Sequence, residues 1–240
     1  MVAEYIGRKK LVYAGTINLA ENNNPRTKIV KWVRPGSRVL EIGCATGFMS
    51  QFLTSSLKCK VAALELNERA AEIAKLDNIA VIIGDIEDAN IRRNLAGEYD
   101  YLIFGDVLEH LTNPSEVLSD LVRYLCDDGH VLLSIPNVAH WSVRKQLIRG
   151  RFNYADEGLL DRNHLRFFTL ESAIALIENC GLRLRRIEYV HSFPQILKIG
   201  ARPKRFLTRL TPGLFAWQFV IDAMKTDDSA SGSFDNHPEL

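Results

Sequence analysis

The fold of this chain is decided by the stretch Val39-Leu40-Glu41-Ile42-Gly43-Cys44-Ala45-Thr46-Gly47, an apolar run that enters a tight glycine turn. A buried strand followed by such a turn opens the βαβ units that hold nucleosides. Glu65 follows Gly43 by about twenty residues, at the end of a second apolar run, and its carboxylate can accept two hydrogen bonds from ribose hydroxyls. The pattern predicts a bound nucleoside cofactor. The turn lacks the middle glycine of a pyrophosphate site, which argues against a dinucleotide.

Strand and helix signals alternate along the rest of the chain, as expected of successive βα units. Apolar runs predict strands at 78–83, 99–104, 130–135, 183–189 and 217–224. Helices are predicted at 26–33, 47–56, 68–76, 114–125 and 169–180. Asn113 with Pro114 caps one of these helices, and Thr169 caps another. The order of the elements predicts an α/β fold.

Composition indicates a single domain with a full hydrophobic core. The chain has 240 residues, of which 47% are hydrophobic, and its formal net charge is +1. Such a charge gives no global argument for nucleic acid or an anionic membrane as a partner. The four cysteines show no zinc or disulfide spacing. Since no apolar run reaches the length of a membrane span and the N-terminus is unlike a secretory signal, we expect a cytoplasmic protein.

Three motifs follow one another in order. Glu-x-Gly-x-x-x-Gly comes first, Gly84-Asp85-Ile86 follows a predicted strand, and Gly105-Asp106-Val107-Leu108-Glu109-His110-Leu111 follows the next. They resemble motif I, the adenine-binding corner and the fourth motif of the class I S-adenosylmethionine-dependent methyltransferases. The resemblance extends over residues 25–225. It implies a doubly wound, Rossmann-like, seven-stranded sheet that is mostly parallel and has an antiparallel last strand.

This resemblance implies S-adenosyl-L-methionine as the cofactor. Glu65 would accept hydrogen bonds from the ribose, Asp85 from the adenine amine, and Gly105 would lie near the methionine amine. Arg26 resembles an arginine that meets the cofactor carboxylate in the quinone-pathway enzymes, or it is a solvated charge on a short helix. The other cofactor candidates belong to the glycine turn or adjoin Glu65 and Asp85: Glu41, Gly43, Cys44, Ala45, Gly47, Leu66 and Ile86.

A second resemblance concerns a divalent metal. Asp106, Glu109 and His110 match the acid-x-x-Glu-His motif that binds metal in the ubiquinone-pathway and small-RNA 3′-end O-methyltransferases, and His164 matches a further histidine of the RNA enzymes. Asp106 stands where those families usually have Glu, which shortens its reach. The match implies Mg²⁺ or Mn²⁺ at Asp106, Glu109, His110 and His164. A metal-free reaction in which His110, His140 or His164 is the general base stays open.

A third resemblance indicates the acceptor. Asn23-Asn24-Pro25-Arg26-Thr27-Lys28, Pro136-Asn137-Val138-Ala139-His140-Trp141 and residues 160–169 look like the bacterial methyltransferases that accompany glycosyltransferases in polysaccharide and glycolipid pathways. This implies an O-methyltransferase acting on a hydroxyl of a sugar, a glycoconjugate or another small molecule. A quinol, an amine and an RNA 3′ end stay as alternative acceptors.

Two other classes of protein share parts of this pattern. An NAD-dependent oxidoreductase has the same acidic ribose residue, but the glycine turn and the fourth motif argue against it. A non-catalytic cofactor-binding module would keep Glu65 and Asp85 and lack polar groups near the methyl. The ionisable residues that follow the predicted strand ends therefore favour an enzyme.

We expect one methyltransferase domain over residues 1–225. Residues 1–34 would form a cap, the loop-rich segment 136–168 would close over the acceptor, and residues 226–240 would be a disordered tail. Segment 194–215 mixes basic and apolar residues. We favour a basic solvated face over a core-packed helix, and the alternative is an amphipathic surface for an anionic lipid-linked or phosphorylated substrate. The oligomeric state is not decided by the sequence, and a homo-oligomer is possible.

Overall fold

The computed structural model of the chain describes residues 4–6, 9–12, 15–76, 79–194 and 200–226. Its strands are β1 (Glu4–Ile6), β2 (Lys9–Val12), β3 (Arg38–Ile42), β4 (Lys60–Glu65), β5 (Ala80–Ile83), β6 (Tyr99–Gly105), β7 (Leu125–Pro136), β8 (Leu182–His191) and β9 (Ala216–Lys225). Its helices are α1 (Pro25–Val30), α2 (Phe48–Leu57), α3 (Glu68–Leu76), α4 (Ala89–Arg93), α5 (Pro114–Val122), α6 (Trp141–Ile148), α7 (Leu170–Asn179), α8 (Ala201–Leu210) and α9 (Pro212–Phe215).

The predicted sheet is confirmed. Seven strands lie in the order β5-β4-β3-β6-β7-β9-β8, and β3 to β7 run parallel to one another. Strand β9 lies antiparallel to both β7 and β8. The order reverses between β3 and β6, and ligands bind at such a switch point in open α/β sheets.

Both faces of the sheet are covered by helices, because its central strands are apolar on both faces. Leu40 and Ile42 of β3 belong to the cluster that includes Leu118 of α5 and Ile177 of α7. Val39 points to the opposite face, since side chains alternate along a strand. It packs there in the cluster that includes residues of α1 and α2.

The predicted helix starts are confirmed where a cap signal is present. Asn113 accepts a hydrogen bond from the backbone N–H of Glu116 at the start of α5, and Thr169 forms a capping box with Ser172 at the start of α7. Other boundaries differ from the prediction. Strand β7 is longer than residues 130–135, and the predicted helix 26–33 ends at Val30.

The sequence patterns missed some short elements. Strands β1 and β2 pair antiparallel in a sheet of their own, within the segment expected to be a cap. Helix α4 and helix α6 were also missed, and α6 lies inside the segment 136–168 that was expected to be loop-rich. Residues 227–240 of the expected tail and residue 78 of a predicted strand lie outside the described residues. None of the described helices is both long and apolar enough to span a bilayer.

Candidate active site

A cavity of about 570 Å³ opens at the carboxyl ends of the parallel strands. It lies where the topological switch point predicts a ligand. Most of the predicted site residues line it: Arg26, Glu41, Gly43, Cys44, Ala45, Glu65, Leu66, Gly105, Asp106, Glu109, His110 and His164. Four predicted residues are not among its lining: Gly47, Asp85, Ile86 and His140.

The two glycines of the turn occupy positions where a side chain would not fit. Gly43 has φ +71, and a Cβ atom there would lie 2.7 Å from Cγ2 of Val107. At Gly47, with φ +76, a Cβ atom would lie 2.8 Å from Cβ of Ala74 and from Cδ1 of Ile79. Gly43 therefore lets the backbone border the cavity, whereas Gly47 lets the turn pack against the protein behind it.

Glu65 is held by two backbone N–H groups, one in the glycine turn and one two residues after Glu65. Its Oε2 accepts from the N–H of Ala45 at 2.7 Å, and its Oε1 accepts from the N–H of Asn67 at 2.8 Å. Each carboxylate oxygen keeps a free lone pair for another donor. The next residue, Leu66, borders the cavity and is 66% exposed. A carboxylate that can still accept hydrogen bonds suits the hydroxyls of a ribose, and an exposed apolar side chain beside it suits a base. Together they fit a nucleoside.

Hydrogen bonds outside the cavity hold the Gly84-Asp85-Ile86 corner in place. Asp85 accepts from the N–H of Glu87 at 2.8 Å. The carbonyl of Ile86 accepts from the guanidinium of Arg92 at 2.9 Å. Arg92 is buried and also pairs with Asp120 at 2.7 Å. The corner thus adjoins the cavity without lining it.

Glu41 is a buried carboxyl group below the turn. The hydroxyl of Ser50 donates a hydrogen bond to it. Burial raises the pKa of Glu41 to about 7, although the Ser50 hydrogen bond and the nearby charge of Arg26 lower it. At neutral pH the group therefore exchanges between its neutral and charged forms.

Asp106 is occupied by three side-chain donors. It has φ +60, and its carboxylate accepts from Ser134 at 2.6 Å, from Gln218 at 2.8 Å and from Arg26 at 3.3 Å. Ser134 lies in β7 and Gln218 in β9, so the carboxylate ties three parts of the fold together. These contacts explain why Asp106 does not join the metal-ligand group described next. The expectation that Asp106 converges with the other three candidates is not met.

Glu109, His110 and His164 form a group whose potential ligand atoms all lie within 4.8 Å of one another. The segment 136–168 returns to this point because the N–H groups of Leu165 and Arg166 both donate to the carbonyl of Glu109, at 2.8 and 3.0 Å. The rings of His110 and His164 meet edge to face with centroids 4.8 Å apart.

His110 and His164 each use Nδ1 for a hydrogen bond to a backbone carbonyl, so each has Nε2 left to bind another group. Nδ1 of His110 lies 3.1 Å from the carbonyl of Asn163, and Nδ1 of His164 lies 3.3 Å from the carbonyl of Leu159. A carbonyl only accepts, so each Nδ1 carries the proton and each Nε2 keeps a lone pair. Burial lowers the pKa of His164, and the neighbouring His110 lowers it further. The neutral ring can act as a metal ligand or as a base.

Glu109 lacks the partner that a buried carboxylate requires. Its side chain is 1% exposed, and its Oε2 has no hydrogen-bond partner. Burial raises the pKa of Glu109 well above its usual range, and the charge of Asp106 raises it further. A divalent cation would satisfy this orphaned oxygen. On one Mg²⁺ ion two ligand atoms lie about 3 Å apart when adjacent and about 4.2 Å apart when opposite, so the three residues would have to draw closer together to hold one ion.

His140 is a structural residue. It is fully buried, its Nδ1 lies 2.8 Å from the hydroxyl of Ser142, and its Nε2 lies 3.0 Å from the carbonyl of Ser192. It caps α6 and packs edge to face on Trp217. Because both ring nitrogens are engaged away from the cavity, His140 is not placed to act as the base.

Some lining residues were not predicted. Trp217 and Gln218 come from β9, and Asn163 precedes His164 in the segment 136–168. No local pattern marks Gln218, because only the position of β9 beside β7 brings it to the cavity. Asn163 stands in a polar run directly before His164, and that run could have indicated it.

Fold and site together define a class I S-adenosylmethionine-dependent methyltransferase. A family model described as "Methyltransferase domain" matches residues 17–187, more than half of the chain. The chain belongs to this family.

Curated relatives include two O-methyltransferases. The chain is 30% identical over 106 residues to the ubiquinone biosynthesis O-methyltransferase of Dechloromonas aromatica (strain RCB), covering 42% of this chain and 45% of that protein. It is 31% identical over 101 residues to the malonyl-[acyl-carrier protein] O-methyltransferase of Priestia megaterium (strain DSM 319 / IMG 1521), covering 40% of this chain and 35% of that protein. The chain thus spans less than half the length of either relative.

Solved structures share the fold. The magnesium protoporphyrin IX methyltransferase of Synechocystis PCC 6803, solved with bound SAH, superposes with a TM-score of 0.60 at 16% sequence identity. The superposition covers 89% of this chain and 90% of that one. At this identity the likeness supports the fold.

Proposed function

We propose that this protein transfers the methyl group of S-adenosylmethionine to a hydroxyl of a sugar, a glycoconjugate or another small molecule, with help from a divalent cation. The observation that carries the proposal is the orphaned Oε2 of Glu109 beside the free Nε2 atoms of His110 and His164. The two curated relatives named above are O-methyltransferases, which supports oxygen as the acceptor atom.

The cofactor would lie along the glycine turn. Gly43 would border its methionyl part, Glu65 would accept from the ribose hydroxyls, and Leu66 would cover one face of the adenine. Arg26 projects from α1 to the same cavity and would attract the carboxylate of the cofactor. When bound, S-adenosylmethionine supplies a methyl group on a positively charged sulfur, which is open to in-line attack.

The acceptor hydroxyl must lose its proton as it attacks. A divalent cation held by Glu109, His110 and His164 would lower the pKa of a bound hydroxyl. The neutral Nε2 of His164 could take the proton in the absence of a cation. Both roles use His164, and the experiment below separates them.

A polar acceptor suits the wall formed by the segment 136–168. Asp161, Asn163 and Glu157 line the cavity there, and Trp217 lies opposite the tip at Gly158. Carboxylate and amide groups pair with several hydroxyls at once, and an indole ring offers an apolar face to a sugar. This lining supports a sugar hydroxyl over an apolar acceptor.

The remaining expectations stay part of the proposal. One domain would span residues 1–225, with residues 1–34 as a cap and 136–168 as the acceptor-side segment. A reducing cytoplasm would suit the four cysteines, which are all free thiols.

The test combines metal binding with turnover. We expect Mn²⁺ to bind the purified apo protein in calorimetry, and His164→Ala and Glu109→Gln to remove that binding. Turnover of S-adenosylmethionine with a panel of sugars, quinols and short RNAs should fall with a chelator and return with Mg²⁺ or Mn²⁺. His191→Ala, a histidine outside this cavity, is the matched control and should leave Mn²⁺ binding unchanged.

Two outcomes would contradict parts of the proposal. Full turnover in chelator, with a steep loss in His164→Ala, would leave a metal-free histidine base. Turnover with a quinol or RNA alone would overturn the sugar acceptor.

A further inference from the structure

Helix α8 covers Thr208 and half-buries Leu207 and Lys204, but it turns two large apolar residues toward solvent. Thr208 is 1% exposed, and Nζ of Lys204 lies 5.9 Å from the centre of the Phe193 ring, so this side packs on the protein. Phe206 and Leu210 are one turn apart and are each 62% exposed. A helix that serves only to cover a core has the opposite arrangement. The favoured expectation of a core-packed helix is therefore wrong for these two residues.

Basic side chains adjoin this apolar face. Arg202, Arg205 and Arg209 are exposed, and their spacing places them along one side of α8. Within the described part of the chain, none of the three forms an ion pair. Their positive charges are therefore not neutralised by neighbouring carboxylates.

A second cavity, of about 330 Å³, lies between α1, β8 and α8. Its basic lining residues are Lys28, Lys31, Arg205 and Arg209. Among the described lining residues Glu188 is the one carboxylate, and it pairs with Lys28 at 2.5 Å, which leaves a surplus of positive charge. Burial lowers the pKa of His191 at the same cavity, and the charges of Lys204, Lys28 and Arg205 lower it further.

We propose that α8 and this basic cavity form a docking surface for an anionic phospholipid membrane. Phe206 and Leu210 enter the head-group region, while Arg205 and Arg209 hold a lipid phosphate at the cavity. The docking surface is distinct from the methyl-transfer cavity and does not depend on the acceptor or on a metal.

The charge distribution favours a membrane surface over a soluble phosphate compound. A phosphate alone would use the basic cavity and leave Phe206 and Leu210 exposed, whereas a lipid surface engages both features. The formal net charge of the chain is only +1. Attraction to the membrane must therefore come from the local cluster, and it weakens when salt screens that cluster.

Vesicle co-sedimentation of the full chain tests the proposal. We expect binding to vesicles that contain phosphatidylglycerol, little binding to pure phosphatidylcholine, and release by salt. Replacing both arginines (Arg205→Ala with Arg209→Ala) should weaken binding by about 30-fold, since each basic residue near an anionic surface contributes about 1 kcal/mol. Phe206→Ser with Leu210→Ser should weaken it by at least about tenfold.

Matched variants near the opposite edge of the sheet, beside β5, serve as controls. Ile73→Ser in α3 and Arg93→Ala in α4 remove an exposed apolar and an exposed basic side chain, and they should bind vesicles like the wild type. Melting temperature and cofactor binding verify that each variant is folded. If a double variant is unfolded, the single variants Phe206→Ser and Arg209→Gln take its place.

Three results would overturn the docking surface. The first is equal binding, or none, to both kinds of vesicle. The second is undiminished binding by the folded α8 variants. The third is binding of inorganic phosphate at the cavity without vesicle binding, which would indicate a soluble phosphorylated ligand.

Discussion

Glu41 shows what happens to a single carboxyl group on a buried strand. Its position in β3 is surrounded by the core, and Ser50 is its one side-chain hydrogen-bond donor. Burial disfavours the charged form, so the pKa rises from 4.5 to about 7 in the folded protein. Between those two values, the folded state binds more protons than the unfolded state. Stability is therefore expected to decrease as pH rises through this range.

Replacing Glu41 with Gln should remove this dependence. From pH 4.5 to pH 7 the wild type should lose stability that Glu41→Gln does not lose. The free energy of unfolding of the variant should therefore rise relative to that of the wild type by on the order of 3 kcal/mol. Urea unfolding of the apo proteins across this pH range measures it. Glu72→Gln, on an exposed carboxylate of α3, should show no such trend. A constant difference for Glu41→Gln would mean that the wild-type group stays charged when folded.

The sequence predicts a site residue correctly where that residue belongs to a local motif. Glu65, His110 and His164 were found in this way, and all three line the cavity. The fate of Asp106 could not be predicted, because its donors Ser134 and Gln218 lie in distant strands. His140 adjoins a recognisable Pro-Asn pair but is buried by contacts that no spacing reveals.

Among the elements, the segment 136–168 lines the cavity with Glu157, Gly158 and Asp161, and we propose that its tip contacts the acceptor. Exchanging residues 154–158 for a Gly-Ser linker should decrease turnover at least about tenfold and change cofactor affinity little, because the glycine turn and Glu65 remain in place. Steady-state kinetics and calorimetry with S-adenosylhomocysteine measure the two effects. A Gly-Ser replacement of the exposed residues Asp127-Asp128 in β7 is the control. Equal losses of turnover and affinity would make the segment a structural support.

Helices in which periodic apolar residues follow a recognisable cap residue could be predicted. The starts of α5 and α7 follow from Asn113 and Thr169, whose side chains bond the first turn of each helix. Helix α6 was missed because its buried cap is the side chain of His140, a residue that rarely signals a helix start. Helix α8 was read as core-packed because its pattern does not reveal which face the protein covers.

For the whole molecule, cofactor binding should be visible as a gain in stability. S-adenosylhomocysteine at about 100 times its Kd should stabilise the fold by about 2.7 kcal/mol and raise Tm by about 5 to 10 °C. NAD should leave Tm unchanged. Glu65→Ala should weaken binding by about 1.5 to 3 kcal/mol and reduce the shift to less than half. Glu68→Ala, an exposed neighbour in α3, is the control. An undiminished shift in Glu65→Ala would refute its role at the ribose.

Strand β9 has a consequence for the way the protein is made. It is translated after β8, yet it lies between β7 and β8 in the finished sheet. Trp217 and Gln218, which line the cavity, arrive with it. Until residue 225 has left the ribosome, β7 carries an open edge that a neighbouring nascent chain could pair with. Ribosome-bound chains that end before β9 are therefore exposed to aggregation and lack one wall of the cavity.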